Sequence, residues 1–238
     1  MNNSIQILWQ DEHLIAVNKQ AGMLSIPDRW NSAIPSLLSE LRKTIKEVFI
    51  IHRLDRETSG VILFAKNAMA HKKVSVQFEN KNARKVYDVL VQGHFMNKEG
   101  LIEGGIAEDK AVKGKMMAHP KGKASQTFYR VMETWGKIAY IQVQPLTGRT
   151  HQIRVHLQDI GHPLLVDPLY GGSNAFLLSS IKRKYKNADD EKPLLSRVSL
   201  HSRKLTFIHP QTNEKVSVET DMPKDMLAVI QQLRKLKI

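Results

Sequence analysis

The sequence predicts an α+β fold built on a mixed, mostly antiparallel sheet, and three observations predict it. Strand-like and helix-like segments alternate irregularly, with no repeated strand–helix unit of the kind that builds a doubly wound parallel sheet. Thr127 to Thr134 and Ile138 to Gln144 are alternating segments separated only by Trp135-Gly136-Lys137, the spacing of a hairpin. The motifs G-x-G-x-x-G, G-x-x-x-x-G-K-[ST] and H-E-x-x-H are all missing, so the common nucleotide and zinc signatures give no support to another class.

The elements follow in order. Ile5 to Trp9 and Leu14 to Asn18 are short strands around the turn-like Gln10-Asp11-Glu12, and Gly22 with Pro27 marks a loop. Leu37, Leu38, Leu41 and Ile45 recur at helical spacing, with Asn31 or Ser32 as N-cap and Pro35 in the first turn. Val48 to Ile51 and Val61 to Ala65 are apolar runs suited to buried strands, and the polar segment His52 to Gly60 is held between them. Ala70, Val74 and Phe78 form a second helical stripe, followed by a central strand from Val86 to Val91 that ends at Gly93. Residues 97–123 are rich in Gly and Lys and weakly periodic, which predicts surface loops with short strands. Ile153, Leu157 and Ile160 line a helix from about Thr150 to Gly161, with Pro163 beyond it. Residues 171–196 are polar and basic and read as a surface insertion. Leu205 to Ile208 and Val216 to Glu219 are strands, and Met226, Ile230 and Leu233 mark a closing helix. The whole reads as a single domain over 1–238, without internal repeats.

Charge is the most informative bulk property. The 238 residues hold 36 Lys and Arg against 23 Asp and Glu, a net charge of +13, which points to a polyanionic partner. Basic residues gather at Lys110, Lys113, Lys115, Lys121 and Lys123, again at Lys182, Arg183, Lys184 and Lys186, and near the end at Arg234, Lys235 and Lys237. Such clusters bind phosphate by releasing counterions, with little regard to sequence. A single run of this kind reads equally well as a solvated face; three together favour nucleic acid. With no cysteine, disulfides and thiolate metal sites are excluded, in agreement with a cytoplasmic protein. Neither a membrane-spanning apolar run nor a secretory leader is visible, so no membrane role is expected.

The densest polar constellation is His52-Arg53-Leu54-Asp55-Arg56-Glu57-Thr58-Ser59-Gly60. An Asp between arginines is by itself commonly a surface ion pair. Here, however, the run fills every fixed position of His-Arg-Leu-Asp-x-x-Thr-Ser-Gly, and on that motif the chain resembles the RluA-like pseudouridine synthases. The resemblance extends further. Asp11-Glu12-His13-Leu14-Ile15-Ala16-Val17-Asn18-Lys19 with Gly22 is similar to the family's first motif, although Gln20 stands where proline is usual. Arg84-Lys85-Val86-Tyr87 is similar to the segment that supplies its tyrosine. Leu146 to His156, then Gly161-His162-Pro163 and Asp167-Pro168-Leu169-Tyr170-Gly171, resemble its third motif, while Leu200-His201 and His209-Pro210 resemble its C-terminal segment. No segment before the first motif corresponds to the small S4 RNA-binding domain of many relatives, so the expectation is a compact member acting on tRNA, or on tRNA and rRNA both.

The resemblance implies a pseudouridine synthase fold around one active-site cleft. It also implies the isomerisation of uridine in structured RNA, in which the N1 to C1′ bond breaks, the base turns and C5 bonds to C1′. That reaction needs no cofactor and no metal. Asp55 takes the role of catalytic carboxylate, as nucleophile at C1′ or as base at C2′. A carboxylate enclosed beside a base tends to take up a proton unless a fixed positive charge opposes it, and Arg154 matches the family's arginine for that task. The alternative for Arg154 is a structural ion pair with another acid. Tyr87 matches the tyrosine that stacks on the uracil and assists removal of its C5 proton. Arg53 is the candidate for the gap left when the uridine leaves its stack, with Leu54 packed beneath the loop.

Arg149, on a helix, would point roughly 140° from Arg154 and is assigned to RNA phosphate unless it precedes the helix. Arg56 is either a phosphate contact or an exposed charge. Lys113, Lys115, Lys121 and Lys123 complete the expected RNA-binding set. His52, His151 and His156 have poor spacing for a shared metal ion and are assigned structural roles. RNA is the expected partner and a monomer the expected state. Two other readings compete: an RNA-binding protein that keeps the fold without the chemistry, and a glycosidase-like hydrolase using Asp55 with Glu57.

Overall fold

The computed structural model describes residues 5–31, 33–182, 185 and 190–236. Ser32, Arg183, Lys184, Lys186 and Lys237, named above, lie outside the described residues. The elements are β1 (Gln6–Gln10), β2 (Leu14–Lys19), α1 (Leu37–Leu41), β3 (Phe49–Ile50), β4 (Ser59–Ala65), α2 (Ala68–Glu79), β5 (Arg84–Gln92) and β6 (Glu99–Glu108). They continue with β7 (Met116–Ala118), β8 (Lys123–Trp135), β9 (Ile138–Pro145), α3 (Gln152–Asp159), a 3-10 turn (Leu178–Ser180), β10 (Leu200–Ile208), β11 (Lys215–Glu219) and α4 (Lys224–Leu236). The chain forms two compact units, one of Met1–Val86 with Ser202–Asp221 and one of Tyr87–His201 with Met222–Ile238.

In the first unit the strand order is β1-β2-β4-β10, with β3 on β4 and β11 on β10. Leu14 to Val17 and Val61 to Ala65 are almost completely buried, as their unbroken apolar runs require of central strands covered on both faces. Antiparallel pairing sets Leu14 opposite Ala65 and Lys19 opposite Gly60. Asn67 caps α2 by accepting the Ala70 N–H, and Ala70 and Val74 pack with Leu14, Leu63, Leu205 and Phe207. Each fully buried Leu or Phe of this layer contributes on the order of 1.5–3 kcal/mol. Gly60 has φ +110°, and a Cβ there would stand 2.2 Å from the Ser202 carbonyl oxygen. The glycine of the motif therefore lets β10 approach the strand that carries the loop's end.

The first helix departs from expectation. It begins at Leu37, with Ser36 as N-cap in a reciprocal box with Ser39, so Asn31 is not its cap and Pro35 lies ahead of it. Ile45 lies beyond the helix, which stops at Leu41. A serine three residues after another serine gave the better signal, because each hydroxyl can satisfy a backbone N–H of the first turn.

In the second unit the order is β5-β9-β8-β6-β7, antiparallel throughout. Strands β8 and β9 form the expected hairpin, with Trp135 paired to Ile138. Met226, Val229, Ile230 and Leu233 of α4 pack with Leu90, Trp135 and Val166.

Residues 97–123 are more regular than expected. They hold the ten-residue β6, paired along β8, as well as β7. Glycine hid the strand: a Cβ on Gly105 would meet the His119 carbonyl oxygen at 2.3 Å, and one on Gly122 would meet the Ile106 nitrogen at 2.5 Å. Close backbone approach here excludes the side chains that would have displayed alternation. Residues 171–196 are likewise not a solvated insertion throughout. Phe176 donates its N–H to the Leu195 carbonyl at 2.7 Å, and both side chains are buried with Trp135 and α4. The short apolar runs Phe176-Leu177-Leu178 and Leu194-Leu195 in a polar stretch carry no period by which to recognise their pairing. Among the described residues, no helix is long and apolar enough to cross a membrane.

Candidate active site

The segment from Ile51 to Thr58 leaves β3 and returns as β4, which fixes both of its ends in the first unit. Within it Asp55 opens a turn in which its carbonyl accepts the Thr58 N–H at 3.1 Å. Two buried polar side chains hold the turn. The Ser25 hydroxyl donates to the Leu54 carbonyl at 2.7 Å and accepts the Leu54 N–H at 3.1 Å. The Lys19 ammonium, 1% exposed, donates to the carbonyls of Gln20, Met23 and Arg56 at 3.0, 2.7 and 2.8 Å. Gly22 adds its N–H to the same Arg56 carbonyl. Residues on both sides of Asp55 are thus bonded, through their backbone, to the loop after β2.

Leu54 is buried beneath the turn, as expected. Arg53 and Arg56 are exposed; Arg56 donates through Nε to the Gly22 carbonyl at 3.0 Å, and Glu57 lies 3.9 Å from the same nitrogen. Asp55 itself is half-buried. His52 has a structural role: its Nε2 accepts the Leu63 N–H at 3.1 Å and its ring stacks on Phe78 with centroids 4.8 Å apart. Burial, and then the nearby Lys85 charge, push its pKa down from 6.5 to about 3, so the ring stays neutral. Burial also pushes Lys85 down to about 8.

The second unit carries Tyr87 and Arg154. Tyr87 is buried on β5 opposite Val143 of β9. Arg154 is buried on α3 and makes a two-pronged pair with Asp167, Nε to Oδ2 at 2.7 Å and Nη2 to Oδ1 at 2.8 Å. The pair with another acid that the sequence left open is therefore present, and its acid is Asp167. The guanidinium also lies over the Tyr170 ring, 4.7 Å from its centroid. Tyr170 is fully buried, and its hydroxyl meets His151 Nδ1 at 2.8 Å and accepts the Met116 N–H at 2.8 Å.

Arg149 precedes α3, so helical geometry does not set it against Arg154. His151, the N-cap, stands in the left-handed region at φ 55°, a conformation that costs a non-glycine residue about 1 kcal/mol or more. Gln152 then anchors the turn. Its Oε1 accepts the Arg149 N–H and the Thr147 hydroxyl, while its Nε2 donates to the Gln126 carbonyl and the Thr127 hydroxyl. Arg149 is exposed at the end of this braced segment. His156 bonds Thr127 through Nδ1 at 2.9 Å, and burial lowers its pKa.

Of the lysines, Lys113, Lys121 and Lys123 are exposed, whereas Lys115 is half-buried, 3.7 Å from Asp109 and 5.9 Å from the Tyr170 ring centroid. Asp55, Arg53 and Arg56 thus belong to the first unit, and Tyr87, Arg149, Arg154 and the four lysines to the second. Sequence reasoning missed the supporting work of Lys19, Ser25, Gln152, Asp167 and Tyr170. A usable signal did exist for the last two: an acid and an aromatic just after a helix bearing Arg154.

Residues 13–159 match the family described as RNA pseudouridylate synthase. The chain is 33% identical over 229 residues to the uncharacterized RNA pseudouridine synthase YhcT of Bacillus subtilis, covering 93% of this chain and 70% of that protein. It is 33% identical over 214 residues to the dual-specificity RNA pseudouridine synthase RluA of Vibrio vulnificus, covering 87% of this chain and 79% of that one. The solved structure of human RNA pseudouridylate synthase domain containing 4 superposes with a TM-score of 0.74 at 23% identity, over 96% of this chain and 93% of the other, which is a likeness of fold.

Proposed function

Because the chain belongs to the RNA pseudouridylate synthase family, we propose that its residues divide the chemistry, with Asp55 as the carboxylate that acts on the ribose. The chain is an RNA pseudouridine synthase, an isomerase that converts uridine to pseudouridine in RNA. The observation that carries the assignment to Asp55 is its turn, fixed through the backbone on both sides by Ser25 and Lys19. A reacting group must be held near its productive position before substrate arrives, and a braced turn supplies that.

In this reading Asp55 attacks C1′, or takes the C2′ proton, as the N1 to C1′ bond breaks; the base turns, and C5 bonds to C1′ as the Asp55 ester bond to C1′ breaks or the proton returns to C2′. The proton on C5 leaves, N1 gains one, and the sum of atoms is unchanged. Tyr87 stacks on the uracil and assists at C5. Arg154, braced by Asp167 and the Tyr170 ring, supplies positive charge to the reacting carboxylate. Arg53 occupies the gap left by the uridine, and Arg56, Arg149, Lys113, Lys115, Lys121 and Lys123 meet phosphate. The substrate is structured tRNA, rRNA or both; the dual-specificity name of the Vibrio vulnificus relative supports more than one kind of target. In this reading the chain is also a cytoplasmic monomer; for one catalytic domain the support is that the family match runs through residue 86, where the first unit gives way to the second.

The experiment is direct. RNA from a strain lacking this protein is incubated with it, and pseudouridine is mapped by carbodiimide labelling and primer extension. New product that disappears with Asp55→Ala, by a factor of about a thousand or more, supports the reading. Product that persists with Asp55→Ala removes Asp55 from the chemistry. RNA binding without product in the unaltered protein, or release of free base, overturns the assigned activity.

A further inference from the structure

Trp30 is 92% exposed, while Trp135 is 7% exposed and Trp9 is half-buried. Single exposed apolar residues are ordinary, so its exposure alone decides nothing. Its mounting is unusual. The loop that carries it is closed at the base, where Leu37 and Leu38 donate their N–H groups to the carbonyls of Leu24 and Ser25 at 2.8 and 3.2 Å. At the tip, Asp28 Oδ1 accepts the N–H groups of Trp30 and Asn31 at 2.8 and 3.0 Å. The indole is therefore displayed on an ordered turn.

That loop is tied to the catalytic turn within the same unit. Ser25 bonds both backbone groups of Leu54, the neighbour of Asp55. Trp30 lies five positions after Ser25, so their Cα atoms lie within ~18 Å of each other even at full extension. Among the described exposed residues next to Trp30 in sequence, Pro27, Arg29, Asn31 and Ala33, none is a large apolar side chain. A protein-docking patch needs a few hundred Å² of contiguous apolar surface. A nucleobase needs one flat aromatic face, and positive charge nearby for its phosphate. Arg29 beside the indole, and exposed Arg53 and Arg56 on the catalytic turn, supply that charge.

We propose that Trp30 is a stacking platform that receives an unpaired RNA base flanking the uridine on which Asp55 acts. The inference rests on the RNA-isomerase reading and adds to it a contact for the nucleotides around the target. Because stacking accepts any base, Trp30 contributes affinity for unpaired RNA more than choice of sequence.

The test uses the full chain and the fluorescence that Trp30 contributes, taken as the difference between the unaltered protein and Trp30→Phe. The probe is an oligoadenylate of about twelve nucleotides, which contains no uridine to isomerise, set against a duplex of the same length. The single strand quenches most of the Trp30 emission, and the duplex does not. With RNA from the strain lacking the protein, Trp30→Ala raises KM roughly fivefold to a hundredfold and leaves kcat within about twofold, while Trp30→Phe restores most of the loss. Emission unchanged by single-stranded RNA, or quenched only by anionic phospholipid vesicles or by raising the protein concentration, overturns the proposal even where pseudouridine is still made. Absence of pseudouridine with the unaltered protein overturns the reading beneath it instead, so the two failures are told apart.

Discussion

The turn of Asp55 and the helix of Arg154 are both held firmly, but by opposite means. Around Asp55 the bonds run from Ser25 and Lys19 to backbone carbonyls, so the main chain is fixed. At Arg154 the bonds run from the guanidinium to Asp167, so the side chain itself is fixed and faces an opposite charge inside the protein. The difference teaches what each site tolerates. A hydroxyl bonded to a carbonyl can be lost at moderate cost, whereas a buried charge that loses its counter-ion is left uncompensated.

The largest effect should therefore come from Asp167→Asn. It removes the Asp167 charge from the buried Arg154 guanidinium, and urea unfolding should show a loss of about 3–5 kcal/mol. A loss below ~1 kcal/mol would show that the Tyr170 ring and helix packing hold Arg154 instead. Ser25→Ala should cost less, about 1–3 kcal/mol, because the Leu54 N–H and carbonyl both lose a buried partner. Its distinguishing readout is hydrogen exchange at Leu54, faster in the variant, together with a fall in kcat at unchanged KM. If Leu54 exchange does not change, the backbone is braced elsewhere.

A further effect is set by pH. Since burial and Lys85 hold His52 down at about 3, the folded chain takes up this proton only near 3, while the unfolded chain takes it up near 6.5. The stability that depends on the neutral ring is complete above about pH 6.5 and is lost progressively as pH falls towards 3. Urea midpoints measured at about pH 7.5 and about pH 4.5 should differ more in the unaltered protein than in His52→Asn. Equal differences would remove His52 from the acid sensitivity of the first unit.

Much of this molecule was legible in the sequence wherever period or motif carried the message. The unbroken Leu14–Val17 and Val61–Ala65 runs became buried central strands, and the stripes of α2 and α4 became core-facing helices. The loop around Asp55 was legible by its residues, and its burial of Leu54 followed from them. Strand β6 was not legible, because Gly100, Gly104 and Gly105 within it carry no side chain to alternate. Nor were the braces legible. Nothing in spacing shows that Ser25 reaches Leu54 or that Gln152 reaches Gln126, since both are bonds between segments far apart in the chain.

The ammonium of Lys19 has one further consequence. Carbonyl oxygens gathered about a single positive centre are how proteins also seize potassium or sodium, and such guests depart when the medium is diluted. Here the guest is leashed to the host by its own side chain, so its local concentration never falls and the ring of oxygens around it stays filled whatever the salinity.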